Sequence, residues 1–279
     1  MKTVPLVGYS DKLSGRPGDS INFMVSSEHK GDFTAELFRS ISADPNPQGL
    51  GIVEQSCDEF FPKKSFLSRK QAFHPGSYAI SEKSLKITAE DKIIFSVMIY
   101  PTLQCANSQS IIEFGQFCLN LNTEGKVVFV SDAGSVTSSN SVSLRRWQRV
   151  EAQITKLGQI SISLGSLDGS DTFKPTFKQL NLELDLSQNA SVVIAGKLNG
   201  DAITNCFNGK IEQPEIYTGS NSFASWDFSR NMSSMIVPGN GCPNLKLMNA
   251  PTRAVTGAFW DASEMNWQHK PEHYASIAF

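Results

Sequence analysis

Apolar and polar residues alternate along short segments of the chain, and Gly, Pro, Ser and Asn residues separate these segments. A repeat of two residues is typical of a β-strand with one face buried and the other in water. Residues 159–164 show it most clearly, because Ile160, Ile162 and Leu164 alternate with polar residues. At least ten such segments lie between residues 60 and 220, and helical apolar spacing is rare. The pattern predicts an all-β sandwich with more strands than one immunoglobulin-like domain.

Several of these segments predict particular strands. Residues 93–100 are apolar on both faces, which is typical of a central strand covered on both sides. Residues 117–121 and 126–130 flank an Asn-Thr-Glu-Gly turn and predict a hairpin. Leucines at every second position predict another half-buried strand over 180–186, and the polar residues 131–140 predict a loop.

The first fifty residues predict two short strands followed by a linker. Residues 20–26 and 33–39 alternate apolar and polar positions, and their apolar members are Ile21, Phe23, Val25, Phe33, Ala35 and Leu37. Residues 43–51 contain two prolines and two glycines, which break regular structure. We therefore place the predicted domain boundary there.

Composition and charge exclude several classes of protein. The chain has 279 residues, 25 Lys and Arg against 27 Asp and Glu, and a formal net charge of −2. A nearly neutral chain offers no overall basic field to nucleic acid or anionic lipid. No apolar run approaches the roughly 18 residues that a membrane-spanning helix needs. The first residues lack the apolar stretch of a secretory signal, which predicts a cytoplasmic protein.

Cysteine usage agrees with that location. The five cysteines, at positions 57, 105, 118, 206 and 242, are odd in number, and none forms a Cys-x-x-Cys motif. We expect free and mostly buried thiols rather than a disulfide framework, because the cytosol keeps thiols reduced.

Three motifs follow one another in the order of a known fold. A Trp-Gln-Arg-Val motif at 147–150 opens a strand, Val-Val-Ile-Ala-Gly lies at 192–196, and Phe-Asn-Gly-Lys-Ile at 207–211 anchors the last strand. This order resembles the laminin-G-like and concanavalin A-like jelly roll. The resemblance implies an all-β jelly-roll sandwich over 51–218, with a small N-terminal β appendage and linker over 1–50. An irregular C-terminal tail over 219–279 would pack on the appendage or lead to a missing catalytic domain.

The two ends of the chain carry a second resemblance. Residues 7–26 and 37–41, together with Leu-Met-Asn-Ala-Pro-Thr-Arg-Ala-Val-Thr-Gly-Ala-Phe-Trp-Asp at 247–261 and Trp-Gln-His-Lys-Pro-Glu-His-Tyr at 267–274, resemble the large subunit of N,N-dimethylformamidase-like proteins. In that family the resemblance implies a jelly roll inserted near the N-terminus. It also implies a mononuclear iron held by two Tyr and a Glu in a downstream domain. No position here matches those ligands, so we assign no catalytic, cofactor-binding or metal residue to this chain.

The resemblance implies a non-catalytic, lectin-like β-sandwich domain of an amidase that acts in scaffolding, subunit contact or access to the active site. Its partner would be the amidase catalytic domain, a partner subunit or a second copy of the chain. Two alternatives stay open. One is a carbohydrate-binding module of the concanavalin A-like lectin and glucanase superfamily. The other is an amidase chain whose iron site is completed by another chain.

One polar cluster in the tail resembles a metal site. His269 and His273 are four residues apart, but Pro271 prevents a regular helix through both. We therefore expect a surface or interface cluster, which consists of Asp261, Glu264, His269, Glu272 and His273.

Other candidate sites have plain structural interpretations. Oxygen ligands for calcium could come from 132–140, from 199–202, or from Asp168 and Asp171, but none has the fixed spacing of a calcium loop. A glucanase would need a third acid after Glu183-Leu-Asp, and the chain lacks it. We expect His29 and His74 to lie in loops. The tryptophans, which we expect in the core, are Trp147, Trp226, Trp260 and Trp267.

Overall fold

The strands fall into two compact units in a computed structural model that describes residues 5–71, 76–89, 91–167, 169, 174–200, 202–219, 221–230, 233–260 and 274–279. The first unit comprises residues 5–11 and 15–71, and the second comprises 12–14 and 76–279. Within the part of the chain that is described, no helix is long and apolar enough to span a membrane.

The first unit consists of three antiparallel pairs of strands, β1–β2, β3–β6 and β4–β5. The strands are β1 (Leu6–Ser10), β2 (Phe23–Ser27), β3 (Phe33–Ala35), β4 (Phe38–Ala43), β5 (Ile52–Ser56) and β6 (Lys64–Phe66). Residues 44–51, within the predicted linker, connect β4 to β5 as the loop of a hairpin. The Pro and Gly residues of this loop end β4 and allow the chain to reverse. The first unit therefore includes the strands on both sides of the loop.

The second unit contains the remaining strands. They are β7 (Tyr78–Ser81), β8 (Leu85–Ile87), β9 (Lys92–Pro101), β10 (Gln109–Phe114), β11 (Phe117–Leu121), β12 (Lys126–Ser131), β13 (Gly134–Ser141), β14 (Gln148–Thr155), β15 (Gln159–Ser166), β16 (Thr176–Gln179), β17 (Gln188–Ala190), β18 (Val192–Ile194), β19 (Lys197–Asn199), β20 (Ala202–Thr204), β21 (Gly209–Thr218), β22 (Asn221–Ser225), β23 (Met235–Ile236), β24 (Leu245–Met248), β25 (Thr252–Val255) and β26 (Ser276–Ala278).

Two eight-stranded antiparallel sheets form the sandwich of this unit. Sheet I has the order β13-β12-β11-β10-β18-β7-β24-β23. Sheet II has the order β16-β15-β14-β9-β21-β26-β25, with β22 paired to β21. β10 pairs with β18 and β9 pairs with β21, although the members of each pair are far apart in the sequence. Consecutive strands such as β9 and β10 therefore lie in different sheets. The predicted all-β jelly-roll sandwich is confirmed.

Apolar side chains from both sheets fill the space between them. Phe95 of β9 packs against Phe117 of β11 and Phe129 of β12, with ring centroids 5.8 and 5.5 Å away. All three side chains are fully buried. Burial of a side chain of this size stabilises the fold by about 1.5–3 kcal/mol, so this aromatic cluster is a major part of the core.

Several predicted strands are confirmed by the pairing. The segment predicted as a central strand is β9, which lies between β14 and β21. The predicted hairpin is β11–β12, with Leu121 opposite Val127. The clearest alternation is β15, whose Ile160 and Ile162 are buried.

Two predictions in the same region are wrong. No strand forms over 180–187, where the backbone runs beside the β14–β15 turn and bonds to it through Leu180 and Leu184. Leucine spacing alone could not distinguish this edge segment from a strand. The predicted loop over 131–140 is largely β13, which pairs with β12. At the register shift between Lys126 and Val128, the Val127 N–H group donates to the hydroxyl of the buried Ser138.

The segment 219–279, which was predicted to be irregular, supplies five short strands to the sandwich. β23 and β24 extend sheet I beyond β7, while β22, β25 and β26 join sheet II. These strands have two to five residues, too few for a clear alternation, and their partners are far away in sequence. The described chain divides into its two units between residues 71 and 76.

Candidate functional site

An apolar groove with a cavity volume of about 680 Å³ lies in the first unit. It is lined by side chains of β2, β3 and β6 and of the segments that follow β3 and surround β6. Its lining residues are Phe23, Val25, Phe33, Ala35, Glu36, Leu37, Phe61, Phe66, Leu67, Arg69 and Gln71. Grooves of this size with mostly apolar walls and a few polar groups are typical binding sites.

Strand pairing and a polar strap build the walls of the groove. Phe33 lies opposite Phe66 in the β3–β6 register, and their rings stack with centroids 5.6 Å apart. The segment 68–71 is held along β2, because the Gln71 side chain donates to the Val25 carbonyl at 2.6 Å and the Ser27 N–H group donates to the Arg69 carbonyl. All of these contacts are between residues of the same chain, and they hold the walls of the groove together.

The charged residues that line the groove are Glu36 and Arg69, and two ion pairs involve Glu36 itself and Lys70, the neighbour of Arg69. Lys63 forms an ion pair with Glu36 at 2.5 Å, and this hydrogen-bonded contact raises the pKa of Lys63. Lys70 is paired in the same way with Glu28 at 2.6 Å. Within the described residues no ion pair involves Arg69, whose exposed side chain lines the groove.

The first unit has almost no buried interior. Across residues 5–71, Ser27 is the one residue that is buried, and no large apolar side chain is. More than half of the exposed large apolar side chains in the described parts of the chain lie here. Phe23 is 73% exposed and Leu67 is 82% exposed, although both line the groove. The exposed apolar side chains of this unit form a candidate interaction surface.

The sequence pattern anticipates one side of this groove. Phe23 and Val25, predicted to share a face of the first strand, both line it, and so do Phe33, Ala35 and Leu37. The opposite wall was missed. Its signal is the Lys-Ser-Phe alternation of β6 after the two phenylalanines at 60 and 61.

A buried acid lies on the second unit, on the outer face of sheet II. Glu212 is 0% exposed and pairs with Met98 of β9, whereas its neighbour Ile211 points into the core. The register of β21 shifts directly after Glu212, and Gln213 there has a φ of 47°. A β-bulge of this kind re-aims side chains and is frequent beside functional sites.

The two carboxyl oxygens of Glu212 have different surroundings. Oε2 accepts a hydrogen bond from the Ala258 N–H group at 2.8 Å, and Oε1 has no hydrogen-bond partner among the described residues. Burial raises the pKa of Glu212 to about 7, and the nearby charge of Asp227 adds to this, while the Ala258 bond and Lys210 oppose it. Glu212 is thus poised to change charge near neutral pH.

Two basic residues hold the backbone around this acid. The Lys210 ammonium group donates to the carbonyl and hydroxyl oxygens of Thr256 and lies 5.0 Å from the Tyr100 ring centroid. Burial lowers the pKa of Lys210. The Arg253 guanidinium group donates to main-chain carbonyl oxygens of the preceding loop, namely those of Phe228, Arg230, Ser233 and Met235.

The candidate residues predicted in the tail and in the calcium loops have mixed outcomes. The cluster of Asp261, Glu264, His269, Glu272 and His273 lies outside the described residues. The same holds for His74, Trp267, Asp168, Asp171 and Asp201 of the 199–202 loop. Trp226 is buried in the core as predicted, Trp147 is half-buried and packs on Tyr100, and Trp260 is exposed.

The iron centre that the family resemblance implies is held by two Tyr and a Glu, and the described residues contain a Tyr–Glu contact. Among them, no three His, Cys, Asp or Glu side chains converge as metal ligands. The hydroxyl group of Tyr217 does contact Glu215, at 2.7 Å. That hydrogen bond raises the pKa of Tyr217 to about 12, so the hydroxyl group keeps its proton.

Comparison with curated proteins decides which group the chain resembles. The N,N-dimethylformamidase beta subunit of Paracoccus aminophilus is 27% identical over an alignment 334 positions long, which covers 100% of this chain and 44% of that subunit. The chain is a homologue of part of this beta subunit. The N,N-dimethylformamidase beta subunit of an Alcaligenes species is 28% identical with the same coverage. The chain thus spans less than half the length of these beta subunits.

Solved structures with a similar arrangement are β-sandwich proteins. A putative carbohydrate-binding protein from Bacteroides ovatus has a TM-score of 0.48 and 10% identity, and the match covers 87% of this chain and 66% of that one. A pentraxin from Limulus polyphemus has a TM-score of 0.40 and 12% identity over 64% of this chain and 92% of the pentraxin. We draw no conclusion about function from these similarities. No protein-family model matches the chain.

Proposed function

We propose that this chain is the non-catalytic β-sandwich part of an amidase that resembles N,N-dimethylformamidase, and that its first unit contacts the rest of that enzyme. The observation that carries the proposal is the exposed apolar surface of residues 5–71, which have no buried apolar core. Such a surface is costly in water and favours association with a partner.

The length of the curated relatives supports this role. They contain more than twice the length that aligns with this chain, so the remaining length is available to carry the chemistry. We therefore assign amide hydrolysis to the remaining portion and assign scaffolding and subunit contact to this chain.

Reconstitution tests the proposal. The chain would be purified and mixed with the polypeptide from the same genome that corresponds to the relatives' remaining length. We expect a complex in light scattering after gel filtration, and hydrolysis of N,N-dimethylformamide by the complex but not by the chain alone. Hydrolysis by the chain alone, with iron bound to it, would refute the non-catalytic role. Absence of a complex would refute the contact role.

A polar groove in the second unit favours carbohydrate binding as a second candidate function. This groove of about 590 Å³ lies between residues 82–86 and 240–244, and Phe223 forms part of its wall. Asn240 donates to the Phe223 carbonyl, and Asn244 donates to a carboxylate oxygen of Glu82. An exposed ring beside amide and carboxylate groups can stack on a sugar and bond to its hydroxyl groups.

A glycan array followed by titration calorimetry tests this second candidate. If a sugar binds in this groove, Phe223→Ala should weaken binding about tenfold or more, whereas Phe177→Ala, at an exposed position on β16, should not. A wild-type chain that binds no glycan on the array contradicts the candidate.

A further inference from the structure

We infer that the groove of the first unit is the docking point for the remaining portion of the amidase, and that the docked segment presents apolar side chains beside an acidic one. This inference rests on the proposed function and adds to it the place and the chemistry of the contact.

The apolar exposure of the whole first unit favours a protein occupant over a small molecule. A small apolar molecule would cover the groove itself but would leave other apolar side chains of the same unit in water. Leu50 and Ile52 on the β4–β5 hairpin and Phe60 are all strongly exposed and do not line the groove. A protein surface can cover the groove and these side chains together, because specific interfaces bury roughly 800 Å² on each partner.

The groove is already formed in the free chain. The stacked rings of Phe33 and Phe66 and the hydrogen bond from Gln71 to Val25 hold its walls in place. A preformed pocket loses little conformational entropy when a side chain enters it. Such pockets bind the few anchor residues that supply most of the affinity of an interface.

The charge of the rim determines the polar part of the ligand. Glu36 and Glu28 are neutralised by Lys63 and Lys70, whereas Arg69 has no ion pair within the described residues. A guanidinium group binds a carboxylate in a bidentate arrangement. We therefore assign an Asp or Glu of the docked segment to Arg69, adjacent to its apolar anchors.

Charge substitutions at exposed positions test the groove without disturbing the fold. Leu67→Asp and Phe23→Asp should each weaken association of the full chain with the remaining amidase portion about tenfold or more. Leu157→Asp is the matched control, because Leu157 is 75% exposed on the sandwich and lies outside the groove. Its affinity should equal that of the wild-type chain.

A separate variant tests the contact between Arg69 and an acidic residue of the docked segment. Arg69→Glu should weaken association, and this loss should shrink at high salt because screening reduces the repulsion. Lys246→Glu reverses an exposed charge on β24 of the sandwich and should have no such effect. Equal affinities of Arg69→Glu and the wild-type chain at low salt would overturn the assigned acidic contact.

The outcomes separate this inference from the proposed function. If the wild-type chain does not bind the amidase portion at all, the proposed contact role fails. If it binds and only Ile52→Asp weakens binding, the groove inference fails while the contact role stands. If the wild-type chain forms a dimer that Leu67→Asp dissociates, the occupant is a second copy, and the inference is overturned.

Discussion

The Ala258 N–H group donates a hydrogen bond to Oε2 of Glu212, with 2.8 Å between the two atoms. The contact joins the segment after β25 to the outer face of sheet II at the bulge in β21. It also places a carboxyl group with a pKa of about 7 in a fully buried position. The stability of the chain is therefore linked to the protonation of this one side chain.

The first prediction concerns Glu212→Gln and pH. The pKa of Glu212 is raised from 4.5 to about 7 on folding, so the folded chain binds more protons than the unfolded chain between these values. The free energy of unfolding should fall by about 3 kcal/mol as the pH rises through this window. Glu212→Gln keeps an acceptor for Ala258 but does not titrate, so this fall should disappear. Urea unfolding at pH 5, 6, 7 and 8 measures it.

A second carboxyl group supplies the control for this prediction. Glu151 is exposed on β14 of the same sheet, and Glu151→Gln should leave the pH dependence unchanged. Equal slopes for Glu212→Gln and the wild-type chain between pH 5 and 7 would contradict the assignment.

The second prediction concerns the close approach of two strands at Gly209. Gly209 has a φ of 154°, and a Cβ atom there would overlap the Tyr100 carbonyl oxygen. Gly209→Ala should therefore lower the free energy of unfolding by about 2 kcal/mol. Gly165→Ala is the control, because a Cβ atom at Gly165 meets nothing within 4 Å. Chemical unfolding of both variants tests the difference, and equal losses would count against it.

The third prediction concerns the loop that Arg253 holds. Its guanidinium group donates to four main-chain oxygens, a geometry that an ammonium group cannot reproduce. Arg253→Lys should lower the free energy of unfolding by about 2 kcal/mol and should speed amide hydrogen exchange at Phe228, Arg230 and Met235. Arg149→Lys should do neither, because Arg149 is exposed on β14. Unchanged exchange in the Arg253 variant would show that the loop does not depend on this side chain.

The fourth prediction compares two tryptophans. Trp226 is buried, and its indole N–H group donates to the Pro243 carbonyl at 2.9 Å. Trp226→Phe should lower the free energy of unfolding by about 2 kcal/mol, because it leaves a small cavity and an unpaired carbonyl group. Trp260→Phe, at an exposed site, should change it by less than about 0.5 kcal/mol. A similar loss for both variants would refute the assignment of Trp226 to the core.

The sequence predicts strands well where the alternation is local and the strand is long. The alternation around Ile160 and Ile162 predicts β15 correctly, because a half-buried strand of eight residues shows the two-residue repeat over its whole length. Leu182 and Leu184 show the same two-residue repeat, but no strand forms there. The backbone N–H groups of Leu180 and Leu184 bond to the β14–β15 turn instead of to a neighbouring strand, and periodicity carries no information about pairing.

The candidate sites, like the strands, could be predicted from the sequence only in part. One wall of the groove follows from the alternation around Phe23 and Phe33, whereas the wall at Phe66 depends on a pairing across thirty residues. Glu212 could not be found from its strand, because alternation alone places it on a solvent face. Its burial results from the segment at Ala258, and the local signal is Pro214, since a proline inside a strand indicates a bulge.

Strand β7 pairs on one side with β18 and on the other with β24, so its second edge stays unpaired until residues 245–248 have been synthesised. At about 5–20 residues per second, the ribosome needs roughly 8 to 30 s to pass from β7 to β24. During that time the nascent chain carries an open strand edge that can pair with other chains. We therefore expect newly made chains to need chaperone protection, and a gene truncated before residue 245 to yield an aggregating product.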